Sequence, residues 1–166
     1  MKTLIIYYSA AGSTRIMART LAMNLKADIV EIKDLKSRTG FVNKFLSSVD
    51  AFRESKTKIS PSKLDLSNYD LIYIGTPTWA NKPAPAIITL IDNCNWKEKD
   101  VILFTTMSKE GSDEKTLERL EEKVHLRGGR VVESFSLLTK DKRPEDIIND
   151  TEGLIQSLVL KMYSGA

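Results

Sequence analysis

Runs of apolar residues of strand length alternate along this chain with segments of helical period. That order builds a parallel sheet covered by helices on both faces. Five strands are expected, at Thr3 to Tyr8, Ile29 to Ile32, Leu71 to Gly75, Val101 to Thr106 and Val131 to Leu137. The longest cores are continuously apolar, as strands buried on both faces must be. Helices are expected from Ser13 to Leu25, with Ile16, Met17, Leu21 and Leu25 on one stripe, from about Ala84 to Asp92, from Ser112 to Arg127, and from Pro144 to Met162. Gly128-Gly129 supplies a helix stop before the fifth strand. Arg143-Pro144-Glu145-Asp146 starts the last helix with proline early and acids in the first turn. The pattern describes one α/β domain of three layers.

One interval departs from it. Lys33 to Asn68 is long for a single crossover, whose loops usually run about two to six residues around one helix. Phe41, Phe45, Val49 and Phe52 fall at helical spacings inside it, an apolar stripe suited to packing on the sheet. Ser60-Pro61-Ser62 and the run to Ser67 read as a surface connection into the third strand. Charge is concentrated in the same interval. Lys33 to Lys63 holds eight Lys or Arg against three acids, so a chain of formal net charge +3 carries its basic excess there. The patch has neither interleaved exposed aromatics nor a known binding module, so a nucleic-acid partner is not expected.

Composition narrows the setting. The opening Leu4-Ile5-Ile6-Tyr7-Tyr8 is too short for the apolar core of an export signal and reads as the first strand. No run approaches the roughly 18 apolar residues of a membrane span, and no membrane association is expected. The single cysteine, Cys94, has no partner for an internal disulfide, which suits a reducing cytoplasm. It follows an apolar stretch and is expected to be buried and inert. His125, the one histidine, lies near a helix end and offers no metal set with a lone cysteine. Trp96, at the far end of the second helix, is expected to pack in the core.

In open α/β sheets ligands bind beyond the carboxyl ends of the strands, so the loops there hold the candidate chemistry. The first, Ser9-Ala10-Ala11-Gly12-Ser13-Thr14, is small and hydroxyl-rich with a glycine at a tight turn. Helix N-terminal amides lack intrahelical partners and carry partial positive charge, so this loop can wrap a phosphate without a cationic side chain. A plain Ser/Thr-capped helix start reads equally well from the loop alone. Walker A and the three-glycine dinucleotide pattern are both missing, which disfavours nucleoside triphosphates and NAD bound in the Rossmann manner. The second, from Gly75 through Thr76, Pro77, Thr78, Trp79, Ala80 and Asn81 to Pro85, is stiffened by three prolines and presents Trp79 for stacking on a flat ring. The third, Thr105 to Ser112, is small and polar, and suits either a ring edge or a surface turn capping the next helix through Ser112.

Ser-x-x-Gly-x-Thr after strand one, Gly-Thr-Pro-x-Trp after strand three and a Thr-rich loop after strand four together resemble the FMN-binding loops of the flavodoxin family, over nearly the whole chain. The resemblance implies a three-layer flavodoxin-like sandwich with a five-stranded parallel sheet in order 2-1-3-4-5, and FMN where strands one and three diverge, a placement that belongs to the family and is not read from the runs. It implies that Ser9, Ala10, Ala11, Gly12, Ser13 and Thr14 hold the phosphate and that Trp79 stacks on the isoalloxazine. Thr76, Pro77, Thr78, Ala80 and Asn81, with Thr106, Met107, Ser108 and Gly111, would line the ring, mostly through backbone. It names no catalytic acid or base, since the flavin carries the redox chemistry.

Three departures from the family qualify this. Ala11 and Ser13 stand where Thr and Asn are typical, removing side-chain hydrogen bonds worth about 0.5 to 1.5 kcal/mol each and loosening FMN. Ala80 stands where glycine often flips its peptide to bond the reduced ring. A Cβ penalises positive φ by roughly 1 kcal/mol or more, so the singly reduced ring should be less stabilised. Lys82 and Lys109 place positive charge where carriers of the family are usually acidic, which fits a redox partner protein with an acidic face. The leading expectation is an FMN electron carrier, monomeric or weakly dimeric. The alternatives are an NAD(P)H-dependent FMN or quinone reductase of the same fold, partly built by the basic segment, and a flavin-free interaction domain.

Overall fold

The computed structural model describes residues 2–36 and 56–164, with side chains described as far as Val159. In chain order the elements are β1 (Thr3–Tyr7), α1 (Ser13–Leu25), β2 (Asp28–Glu31), β3 (Lys33–Asp34), β4 (Ile59–Ser60), β5 (Leu71–Trp79), β6 (Lys82–Pro83), α2 (Pro85–Asn93), β7 (Asp100–Met107), α3 (Asp113–Leu126), β8 (Arg130–Leu138) and α4 (Pro144–Ser164). The five longer strands pair in parallel in the order β2-β1-β5-β7-β8. This is the expected order 2-1-3-4-5. β6 folds back antiparallel on the end of β5, and β3 and β4 form a separate two-stranded antiparallel pair. The apolar stripe at Phe41, Phe45, Val49 and Phe52 lies outside the described residues, as does most of the basic segment.

Side-chain alternation along the strands divides the core into two layers. On one face Leu4, Ile6, Ile72, Ile74, Val101 and Leu103 meet Ile87 and Leu90 of α2 and Leu120 and Val124 of α3. On the other Ile5, Tyr7, Tyr73, Ile102 and Phe104 meet Met17 and Leu21 of α1 and Ile147 of α4. Two strands outrun their expected ends. β5 continues through Thr76 and Pro77, which pair with Thr105 and Thr106 of β7, to Thr78 and Trp79, which pair with Pro83 and Lys82 of β6, and β7 reaches Met107, which pairs with Leu138 of β8. Proline tolerates extended backbone, so the polar, proline-bearing stretch is strand and not loop. A bulge follows Val101 on the β7–β8 pair, whose register passes from Val131 to Glu133.

The helix ends confirm the stop signals. Gly128, at φ 90, follows α3; its N–H donates to the His125 carbonyl and that of Gly129 to the Val124 carbonyl, the paired bonds of a Schellman motif. Ser112 holds the N-cap position of α3 but donates its hydroxyl to the Lys109 carbonyl at 2.6 Å, leaving the helix without a side-chain cap. Among the described residues no helix is long and apolar enough to cross a membrane.

Trp96 is fully buried and donates its indole N–H to the Ile91 carbonyl at 2.8 Å. Cys94 is buried beside it in the core, and burial pushes its thiol above the ordinary value of 9.0. Burial likewise raises Tyr73 above 10.0. In both, the folded state favours the protonated form, so the associated stability is whole below the unfolded values and lost as pH climbs through the folded ones. Denaturant midpoints should therefore hold near neutrality and fall once pH passes about 9 to 10. A thiol reagent at pH 8 should label Cys94 only at the rate of unfolding. Immediate labelling in native buffer would show the side chain is accessible.

Candidate functional site

The carboxyl ends of β1, β5 and β7 open on one side of the sheet, and hydroxyl groups tie them together there. Thr14 Oγ1, in the first turn of α1, lies 2.8 Å from Thr106 Oγ1 at the end of β7. Thr78 Oγ1 on β5 lies 2.8 Å from Thr105 Oγ1 on β7. Beneath them Thr76 is fully buried; its hydroxyl donates to the Pro77 carbonyl at 2.9 Å and accepts the Ala84 N–H at 2.9 Å. Above these contacts lies a cavity of about 210 Å³ lined by Ser9, Ala10, Ala11, Ser13, Thr14, Pro77, Thr78, Trp79, Thr106, Met107, Ser108 and Thr139.

The α1 end of this cavity is built by backbone. Gly12 holds φ 109 and ψ −20 as the N-cap residue of α1, and no side chain caps the helix. The first intrahelical bond runs from the Ile16 N–H to the Gly12 carbonyl at 3.0 Å, so the amides of Ser13, Thr14 and Arg15 precede the ladder. A plain hydroxyl-capped helix start is therefore not what the chain adopts. Instead the Ser9 hydroxyl accepts the Gly12 N–H at 3.1 Å, which closes the turn and leaves the Ser9 proton to donate outward. Arg15 does not enter the cavity: its Nε donates to Glu31 Oε1 on β2 at 3.1 Å. What remains is an anion cradle of amides and hydroxyls at the positive end of a helix dipole.

At the other end Trp79 is half-buried, its ring edge-on to Tyr8 with centroids 5.6 Å apart at 90°. Tyr8 is buried and fixes the indole without closing its cavity side. The Met107 carbonyl accepts both the Thr139 N–H at 2.9 Å and the Thr139 hydroxyl at 3.3 Å, which pins the exit of β7 to that of β8. Neither Tyr8 nor Thr139 is among the expected site residues. Tyr8 shows as the last member of the Leu4, Ile6, Tyr8 alternation, and Thr139 as a threonine at the exit of a neighbouring strand, a fourth loop that the resemblance did not include.

Several expected ring residues lie elsewhere. Thr76 is beneath the floor, and Gly111, at φ 82, is exposed in the turn before α3. Ala80 and Asn81 form the two-residue turn between β5 and β6, with φ of 51 and 61. Positive φ at both central positions is what a tight hairpin of type I′ demands. The strain expected at Ala80 is thus already present, held by the β5–β6 pairing. The same turn carries both residues into a separate hollow of about 450 Å³ with Lys82, Lys115, Glu118, Arg119 and Glu122. A third hollow, about 670 Å³, adjoins the Ser9–Thr14 loop at Ser9 and Ala10; Arg15, Arg19, Lys33 and Lys36 line it with Glu31 and Asp34.

The comparisons agree with this geometry. The family model for flavodoxin matches residues 2–145. The chain belongs to the flavodoxin family. No curated protein matches this flavodoxin by sequence. Among solved structures it is similar to a candidate flavoprotein from Bacteroides uniformis, at 25% identity and a TM-score of 0.74, covering 91% of this chain and 97% of that one. A flavoprotein in complex with FMN from Lactobacillus acidophilus is 28% identical with a TM-score of 0.68, over 81% and 92% of the two chains. Oxidised flavodoxin 2 from Bacillus cereus, at 19% identity and a TM-score of 0.55, covers 95% of this flavodoxin and 99% of its own chain and shares the fold.

Proposed function

We propose that this chain binds one FMN between the Ser9–Thr14 loop and Trp79 and passes electrons between protein partners. The observation that carries the reading is the cavity itself: uncapped amides of α1 at one end and a braced indole at the other, joined by the Thr14–Thr106 contact. The donors suit a phosphate and the indole suits a flat ring. The family and the FMN held by the Lactobacillus acidophilus relative support the same ligand. When bound, FMN supplies the redox chemistry. The residues of this chain hold the phosphate, stack the ring and keep water from one of its faces.

Carrier is favoured over turnover enzyme by the cavity's size and the cations beside it; the lack of an acid, base, thiol or phenol among the lining residues fits either reading, because the flavin carries the redox chemistry in both. The cavity is smaller than the roughly 300 to 1,000 Å³ of an ordinary substrate pocket, so a seated flavin keeps an edge at the surface. Lys82 and Lys109 flank this end of the molecule and suit a partner with an acidic face. A second reading, an NAD(P)H-dependent reductase, rests on the 670 Å³ hollow, whose cations could take a nucleotide phosphate beside the flavin. The FMN-loaded protein decides between them. A carrier shows little NADPH oxidation alone with a quinone acceptor and rapid reduction when a flavin-dependent reductase protein is added, at a rate that falls with salt. Steady NADPH oxidation by the protein alone overturns the carrier reading.

A further inference from the structure

The hydroxyl contacts beneath the ring assign a direction to one of the cavity's own hydrogen bonds. Thr105 is fully buried on β7, and its hydroxyl oxygen lies 2.7 Å from the Thr76 carbonyl and 2.8 Å from the Thr78 hydroxyl. Two oxygens 2.7 Å apart in a buried site need a proton between them, and a carbonyl has none to give. The Thr105 proton therefore lies on the bond to Thr76. A hydroxyl has only one, so the Thr78–Thr105 bond takes its proton from Thr78. The alternative acceptor for Thr105, the Thr106 carbonyl at 3.3 Å, leads to the same result, because either carbonyl consumes the only Thr105 proton.

Thr78 lines the cavity, whereas Thr105 is beneath it. We propose that Thr78 meets the flavin as a hydrogen-bond acceptor, taking an N–H of the isoalloxazine, because its own proton is committed to Thr105. The other polar side chains differ. The Ser9 proton is unspent, and the Thr14–Thr106 pair uses one of its two, so the phosphate end keeps donors while the β5 edge of the ring end offers an acceptor. Anion at one end and N–H at the other is a polarity that orients the ligand. Thr105 is the positioning residue of the arrangement. It does not touch the ligand, and it acts by holding the Thr78 proton.

This inference rests on the FMN reading, and its test separates the two. Apoprotein is titrated with oxidised FMN and, without oxygen, with dithionite-reduced FMN, for the wild type, Thr78→Val and Thr78→Ser; N3-methyl-FMN serves as a probe lacking the N–H that the oxidised ring carries. Thr78→Val keeps the branched shape and should weaken binding about 5- to 10-fold, with Thr78→Ser restoring it. A loss confined to reduced FMN identifies the N–H gained on reduction, and supports the proposal. A loss in both states that disappears when wild type and Thr78→Val are compared on N3-methyl-FMN identifies the N3–H, and also supports it. A loss in both states that persists on N3-methyl-FMN means that Thr78 donates to a ring oxygen and overturns the proposal, as does an unchanged Thr78→Val. Wild-type protein that binds no FMN ends the parent reading instead. Unfolding curves of the apoproteins show whether each variant is folded at the titration temperature.

Discussion

Gly12→Ala should weaken FMN binding by roughly 10- to 100-fold while leaving the apoprotein close to wild-type stability. The reason is torsional. Gly12 sits at φ 109 and ψ −20, outside the left-handed basin that other residues occasionally occupy. A Cβ there would meet nothing within 4 Å, so no clash contributes. Holding an L-residue in such a conformation costs of order 1 to 3 kcal/mol. The free protein escapes that cost by relaxing an exposed loop. FMN should not bind the relaxed loop, because the amides of Ser13 and Thr14, which precede the helical ladder, are presented at the helix start only while Gly12 keeps its angles. The strain therefore appears as lost affinity and not as lost stability. Isothermal titration with FMN beside a urea unfolding curve checks both halves, and equal affinity in Gly12→Ala and wild type would mean that the loop does not hold the phosphate.

Gly75→Ala should act in the opposite way, lowering stability by about 3 kcal/mol, the upper end for an overpacked core. An added Cβ would lie 2.2, 2.3 and 2.8 Å from three atoms of the Phe104 ring. That ring is fully buried and stacked on Phe135 with centroids 5.8 Å apart. β5 is clamped between β1 and β7, so the backbone has no room to retreat. Such a loss is a large part of the 5 to 15 kcal/mol typical of a whole domain. Trimming the ring should relieve it: Phe104→Leu destabilises by leaving a cavity, yet the double variant should cost clearly less than the two single losses together. Urea midpoints at constant slope measure all four proteins. Additive losses would show that the close approach of Gly75 to Phe104 is not what the alanine disturbs.

The strand positions, the two-faced core and the helix ends are legible because each depends on local periodicity, whereas the strand order comes only with the family resemblance. Continuous apolar runs require burial on both faces, and Gly128-Gly129 can end a helix in few other ways. The end of β5 is not legible locally. Thr76-Pro77-Thr78-Trp79 has loop composition, and it stays in strand because Thr76 and Pro77 meet β7 while Thr78 and Trp79 meet the folded-back β6; Thr105 and Thr106 lie inside the expected fourth strand. Ala80 was marked as costly at positive φ, correctly as local chemistry. Pairing between β5 and β6 overrides that cost and turns Ala80 and Asn81 toward α3, away from the cavity lined by Trp79. From the sequence the Ser9–Thr14 loop suits an anion cradle and a capped helix equally, since only the φ of 109 at Gly12 and the Ser9 bond to its N–H separate the two. Tyr8 and Thr139 carry only a faint local signal, strand alternation in the one and a strand exit in the other. Their roles come from standing beside Trp79 and Met107 on neighbouring strands.

The central claim is that one cavity recognises both a phosphate and a flavin ring, and a paired titration tests it. Apoprotein is followed by tryptophan fluorescence as FMN or riboflavin is added. The account predicts one-to-one quenching by FMN, lost in Trp79→Ala and retained in Trp96→Phe, with riboflavin binding at least tenfold more weakly because it leaves the α1 amides without an anion. Equal affinity for the two flavins, or no quenching by either, would contradict it.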